Sequence, residues 1–179
     1  SLPPLRKTAQ GGYAFHPWAV FLCLYLTLPN ENCPMRLLSI DTECFGLFPF
    51  HGDHPFMVSM CTDKLRTTVY EAEKIDDKNR KAIWSKTALR EMGKKIHSAD
   101  KWIFHNARYD ILMLNTIGVS DLLASIHNAP MSYLLDIEDT AILSHVIFNN
   151  EPHGLKELAW KYLDIPMTDE FLVHEAVNA

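Results

Sequence analysis

Apolar residues in this chain come in short runs separated by polar turns, and their period changes along its length. Arg36–Thr42 is apolar at Leu37, Leu38 and Ile40 and reads as a buried strand. Cys44–Pro55, rich in Gly, Pro and His, reads as a loop. Phe56–Thr62 and Leu65–Ala72 read as two strands around a Thr62-Asp63-Lys64 turn, a hairpin. Asp76–Asn79 offers residues that start helices. Ser85–His97 carries Ala88, Leu89, Met92 and Ile96 at helical spacing, with Lys86, Arg90, Lys94 and Lys95 on the other face. Lys101–Phe104 predicts a short strand, and Ala107–Gly118 a helix that Gly118 stops. Leu134–Ile137 predicts a last strand, and Asp139–Phe148, Leu155–Leu163 and Asp169–Asn178 three more helices. Three early strands followed by alternating helix and strand give an α/β domain with a mixed sheet.

The first 34 residues break this pattern. Trp18–Leu28 is an unbroken apolar run between Pro17 and Pro29, too short to span a membrane. It has the length of a signal-peptide core, but no small-x-small cleavage site follows it. Residues 1–34 therefore read as a leader or extension ahead of a domain opening at Met35, with a signal segment or a packed arm as the other readings. At 179 residues and 47% hydrophobic content, the whole chain reads as one domain with a real core, preceded by an unrelated leader, rather than as a disordered chain. The formal net charge of −5 gives no global basic footprint for nucleic acid. Cys23, Cys33, Cys44 and Cys61 form no C-x-x-C pair, which favours reduced thiols in a cytoplasmic protein over disulfides or zinc.

Candidate chemistry sits where apolar runs end. Ser39-Ile40-Asp41-Thr42-Glu43 closes the first strand. Side chains alternate along a strand, so Asp41 and Glu43 share a face and Thr42 points to the other. Two like charges that close shift each other's pKa unless a cation lies between them. His105-Asn106-Ala107-Arg108-Tyr109-Asp110 follows the KWIF strand and brings a third carboxylate, Asp110, on the first turn of a helix. Two carboxylates at a strand end and a third from a distant helix suggest divalent-metal phosphoryl transfer. The plainer alternatives are exposed strand-end acids, a polar helix cap at Asn106, and a packed histidine at His105. His51-Gly52-Asp53-His54 reads as an ordinary loop before a metal cluster, and the basic helix face as solvated before a phosphate guide. Phe48, Phe50 and Phe56 read as base-stacking residues or as loop and core anchors.

Taken in order, these motifs resemble the proofreading 3′–5′ exonuclease domain of family A DNA polymerases, bacterial and phage-like, within the DnaQ-like (DEDD) superfamily. Ser-Ile-Asp41-Thr-Glu43 resembles its first motif and His105-Asn-Ala-Arg-Tyr-Asp110 its second. Asp139-Thr140-Ala141 and His153-Gly-Leu-Lys-Glu-Leu-Ala-x-Lys-Tyr-Leu163 resemble the stretch between second and third motifs. The resemblance covers 35–179 and implies an RNase H-like fold, a mixed central sheet flanked by helices. It implies two divalent ions, Mg²⁺ or Mn²⁺, with Asp41 bridging both, Glu43 binding one and Asp110 acting on the second through water. It implies a single-stranded DNA 3′ end as substrate, a polymerase domain in cis or in trans, no membrane, and the cytoplasm of a bacterial or phage-infected cell. Leu47 matches an apolar wedge against the terminal bases, and His105, Asn106 and Tyr109 lie at the 3′-terminal nucleotide. Thr42 falls within the same substrate-binding motif, although its direction reads as packing.

The superfamily carries a fourth carboxylate in a third motif, Tyr-x-x-x-Asp or His-x-x-x-x-Asp. No Tyr after Asp110 has Asp four residues on, and His174-Glu-Ala-Val-Asn-Ala179 has Ala179 where Asp belongs. The expectation is a domain shortened at its C-terminus, with three of four metal ligands. The competing readings are an RNase D-like 3′–5′ exoribonuclease and a non-catalytic, exonuclease-like nucleic-acid-binding module.

Overall fold

A computed structural model describes residues 35–64, 66–76, 78–79, 81–119 and 137–163. The apolar run Trp18–Leu28, the start of the expected strand at Leu134, and the expected helix Asp169–Asn178 lie outside the described residues. Within them the strands are β1 (Leu37–Cys44), β2 (Pro55–Thr62), β3 (Thr67–Glu71), β4 (Lys74–Asp76), β5 (Lys81–Ile83), β6 (Lys101–Phe104) and β7 (Ile137–Asp139). The helices are α1 (Lys86–Ser98), α2 (Ala107–Thr116), α3 (Thr140–Ile147) and α4 (Leu155–Leu163).

Five strands form one mixed sheet in the order β3-β2-β1-β6-β7. β2 runs antiparallel to β1 and β3, while β1, β6 and β7 are parallel. The expected early hairpin is therefore present, and β1 is central as its apolar run demands. Leu38 and Ile40 are fully buried, as are Val58 and Met60 across the sheet, and Phe104 on β6. α1 covers this core with Met92 and Ile96, as its helical spacing predicts. Ser85 caps α1 by accepting a hydrogen bond from the Ala88 amide at 3.0 Å. Two buried indoles reach backbone oxygens: Trp84 Nε1 donates to Pro55 at 3.0 Å and Trp102 Nε1 to Ile96 at 2.9 Å. Each satisfies a polar atom that burial would otherwise penalise. Gly118 takes φ 78°, so the chain leaves α2 through a left-handed residue, as its place in the sequence predicts.

One expected helix start is corrected. Asp76–Asn79 lies at the turn of a second hairpin, β4–β5, in which Asp76 pairs with Lys81. The Asp76 carboxylate accepts from the Asn79 amide at 3.1 Å and from Asn79 Nδ2 at 2.7 Å. The same side-chain chemistry that starts helices also closes turns, and here the flanking strands decide the outcome. Three-residue strands with Lys, Asp and one or two apolar positions carry almost no alternation to read.

What matters for the site is how the sheet ends. β6 pairs with β1 only from Leu37 to Ser39. Beyond Ser39 the β6 side of β1 is open, and α2 begins just after β6 ends. At the far edge Phe104 pairs with Asp139, so β6 and β7 finish together beside the open end of β1. This carboxyl end of parallel strands is where open α/β sheets place ligands.

Candidate active site

Asp110, on the first turn of α2, fills the gap that β6 leaves. Its Oδ1 accepts from the Thr42 amide at 3.1 Å and from Thr42 Oγ1 at 2.7 Å. Both bonds fall on one oxygen, so Oδ2 is not committed to Thr42. Asp110 is 3% exposed. Burial and the charge of nearby Asp41 push its carboxyl well above the usual range, against the pull of the two Thr42 bonds. Thr42 is thus neither a surface contact nor simple packing: it is the residue that holds Asp110.

Asp41 and Glu43 sit on the opposite face of β1 from Thr42, as the alternation requires. Burial and then the Glu43 charge push Asp41 up to about 7. Carboxylates that raise one another's pKa form a site with excess negative charge. Hard oxygen donors of this kind suit a small divalent cation. Among the described residues, no three His, Cys, Asp or Glu side chains converge into a ready metal cage. The set fits an ion by donor chemistry, with Glu43 acting on Asp41 and Asp41 on Asp110 through their charges.

The segment before α2 is unusual. Asn106 takes the left-handed conformation, φ 74° and ψ 55°, and its side chain makes no capping bond to α2. It is exposed, four residues before Asp110. His105 turns the other way, its Nδ1 2.9 Å from Thr140 Oγ1. That hydroxyl donates to the Phe104 carbonyl at 3.1 Å, so Nδ1 carries the proton given to it. Burial holds His105 below its ordinary pKa, outweighing the nearby charges of Asp139 and Glu157. This is a satisfied junction histidine.

Tyr109 ties α2 to the loop after β1 by donating from its hydroxyl to the Gly46 carbonyl at 2.7 Å. Burial and a bond with Cys44 raise its pKa, so the phenol stays protonated. The loop is also pinned by Asp53, which accepts from the Phe48 amide at 3.0 Å and is 3% exposed. His54 Nδ1 lies 3.3 Å from the Ala82 carbonyl. His51-Gly-Asp-His54 is therefore loop scaffolding. On this pinned loop Leu47 is 73% exposed, Phe48 57% and Phe50 81%. Phe56 instead packs on Phe45, ring centres 5.0 Å apart, against the core. On α1, Lys86, Arg90 and Lys94 are exposed, whereas Lys95 turns inward over the Tyr70 ring at 5.3 Å.

The sequence reading assigned no role at the site to Asp139. Its carboxylate accepts from the Asn106 amide at 3.0 Å and the Ala107 amide at 2.8 Å, and also from Ala141 at 2.9 Å and Ile142 at 3.4 Å. An Asp before an apolar helix signals a cap for α3. Its second set of partners lies 32 and 33 residues upstream, and no local pattern announces them.

These elements correspond to a known family. Residues 26–174 match the 3′–5′ exonuclease family in its DNA polymerase A type, and the chain belongs to that family. The fold is RNase H-like. Among solved structures, NrnC of Brucella melitensis is 26% identical over 79% of this chain and 59% of its own, with a TM-score of 0.50. A zinc-bound exonuclease I–single-stranded DNA complex from E. coli is 14% identical over 75% of this chain and 36% of its own, with a TM-score of 0.49. The family B DNA polymerase of Pyrobaculum calidifontis is 21% identical over 51% of this chain and 12% of its own, with a TM-score of 0.37. The chain thus spans about three fifths of NrnC and smaller shares of the other two. No curated protein sequence matches it. Among the described residues, no helix is long and apolar enough to cross a membrane.

Proposed function

We propose that this chain is a metal-dependent exonuclease domain that removes nucleotides from single-stranded DNA 3′ ends, as the proofreading part of a DNA polymerase acting in cis or in trans. The observation that carries the reading is the placement of Asp41, Glu43 and Asp110 at the open end of β1, where burial first and then neighbouring carboxylate charge push Asp41 up to about 7 and Asp110 well above the usual range. A cation would relieve the repulsion among them, and two divalent ions, Mg²⁺ or Mn²⁺, would be the cofactors. Asp41, Glu43 and Asp110 are the residues that would hold them. Such ions, when bound, supply activated water and neutralise charge at the leaving oxygen.

The chain's own residues orient the substrate. Leu47, on a loop pinned by Tyr109 and Asp53, wedges against the terminal bases, and exposed Phe48 and Phe50 offer stacking faces for the strand behind it. Asn106 and Tyr109 shape the pocket for the terminal nucleotide. The polymerase type of the family supports DNA. Carboxylates and metal contact only the phosphate, which DNA and RNA share, so an RNase D-like activity is the competing outcome. Cys44 and Cys61, thiols among the described residues, fit a reducing cytoplasm.

The test is gel-resolved digestion of 5′-labelled single-stranded DNA and RNA with Mn²⁺, comparing this chain with Asp41→Ala. A DNA ladder shortening from the 3′ end, slowed at least about a hundredfold in the variant, is expected. Equal cleavage by both chains would remove Asp41 from the site. RNA degraded in preference to DNA would make this an exoribonuclease. No cleavage of either would leave a binding module.

A further inference from the structure

The start of α2 is capped from outside the helix. Asn106 occupies the capping position and has a side chain well suited to the task. It does not cap, and it stands in a backbone conformation that non-glycine residues seldom adopt. The orphan amides at this end are satisfied instead by Asp139, the last residue of β7. The same carboxylate satisfies the first amides of α3. Oδ1 is shared between Asn106 and the two α3 amides, and Oδ2 takes Ala107.

We infer that Asp139 is a positioning residue: by capping α2 in place of Asn106, it leaves the Asn106 side-chain carboxamide free of the capping role and available to the substrate, and it fixes the turn that presents Asp110. The geometry has three parts. The sheet register puts Asp139 beside Phe104, two residues before Asn106. A carboxylate bonded to the Asn106 and Ala107 amides clamps the left-handed residue from its own N–H and the next one. The first turn so fixed carries Asp110, which must meet Thr42 on β1 at 2.7 Å. One side chain on β7 thereby sets the spacing between the carboxylate of α2 and those of β1. This inference rests on the exonuclease reading for what Asn106 and Asp110 do, but not for how they are held.

Asp139→Ser separates the two jobs of the carboxylate. Serine caps its own helix about as well as aspartate, so α3 keeps its cap, but its short side chain does not reach α2. Amide hydrogen exchange, and kcat and KM on single-stranded DNA with Mn²⁺, are measured for the full chain, D139S, N106G and the double variant. In D139S, exchange at Asn106 and Ala107 is expected to speed up at least about tenfold, with Ala141 and Ile142 unchanged. The kcat is expected to fall by about tenfold to a hundredfold with KM shifting much less, because the loss is of orientation. The double variant is expected to be no slower than the slower single variant, since both act through Asn106. Unchanged exchange at Asn106 and Ala107 would overturn the inference, and so would kcat losses that multiply. A full chain that cleaves neither DNA nor RNA would overturn the exonuclease reading instead, while the exchange data would still decide what holds the start of α2.

Discussion

Asp41 shows how much a single carboxyl can report about a site. Its pKa of about 7, against an ordinary 3.8, means the folded chain holds a proton that the unfolded chain releases near pH 4. Below pH 4 both states are protonated, and above 7 both are ionised. Between them the folded state binds more protons, so stability falls as pH rises from about 4 to 7 and then levels off. Asp110, pushed the same way by burial and by Asp41, adds a loss of the same sign. Asp41→Asn has no proton to lose at this position. In a chelating buffer it is expected to melt about 5 °C above the parent at pH 8, the gap closing toward pH 4. Thermal unfolding across that range checks this; a variant less stable at pH 8 would mean that ionised Asp41 is satisfied by the protein alone. The bonds from Thr42 to Asp110 belong at the same scale. Alternation along β1 separates Thr42 from Asp41 and Glu43, as the sequence says. It does not say that β6 stops at Ser39 and leaves the Thr42 amide for a side chain 68 positions away.

At the scale of elements, strong periodicity was readable and weak periodicity was not. β1, β6 and α1 lie within two residues of their expected limits because each has a run of apolar residues at one period. β4 and β5 escaped because three residues cannot show a period, and Asp76 favours a turn as readily as a helix. The carboxylates were legible as types and spacing, whereas the two-helix role of Asp139 depends on strand register, which a linear sequence does not display. The first turn of α2 carries a prediction of its own. Asn106 at φ 74° pays a conformational cost that glycine avoids, though glycine is also freer in the unfolded chain. The two effects oppose each other, so Asn106→Gly is expected to leave stability within about 1 kcal/mol of the parent. Cleavage is expected to fall at least about tenfold, because the side-chain carboxamide proposed to meet the substrate is gone. Calorimetry and cleavage rates on the same preparation read both. A variant that keeps full activity would show that Asn106 serves only the backbone.

For the whole molecule, charge and shape make one further expectation. The chain carries a formal net charge of −5, and its site is built from acids. The exposed side chains on the loop after β1 are apolar, Leu47, Phe48 and Phe50, on a segment that Tyr109 and Asp53 hold in place, and Arg108 is a single exposed cation two residues before Asp110. The basic face of α1, with Lys86, Arg90 and Lys94 exposed, lies on a different element. Grip on a strand end should then come from metal, wedge and stacking rather than from rows of phosphate contacts. A protein that neutralises 6–10 phosphates loses about 10³–10⁵ in affinity between 50 and 200 mM salt. For this chain, KM on single-stranded DNA at fixed Mn²⁺ is expected to change by less than about tenfold over that range. Phe50→Ala is expected to raise KM at every salt concentration, since stacking carries no counterions. A steep salt slope would instead assign the strand to a basic surface, with Arg90 and Lys94 the side chains to remove next. A shallow slope would explain how an acidic domain works on an acidic polymer: it needs only the last few nucleotides, and the proposed polymerase partner would hold the rest of the strand.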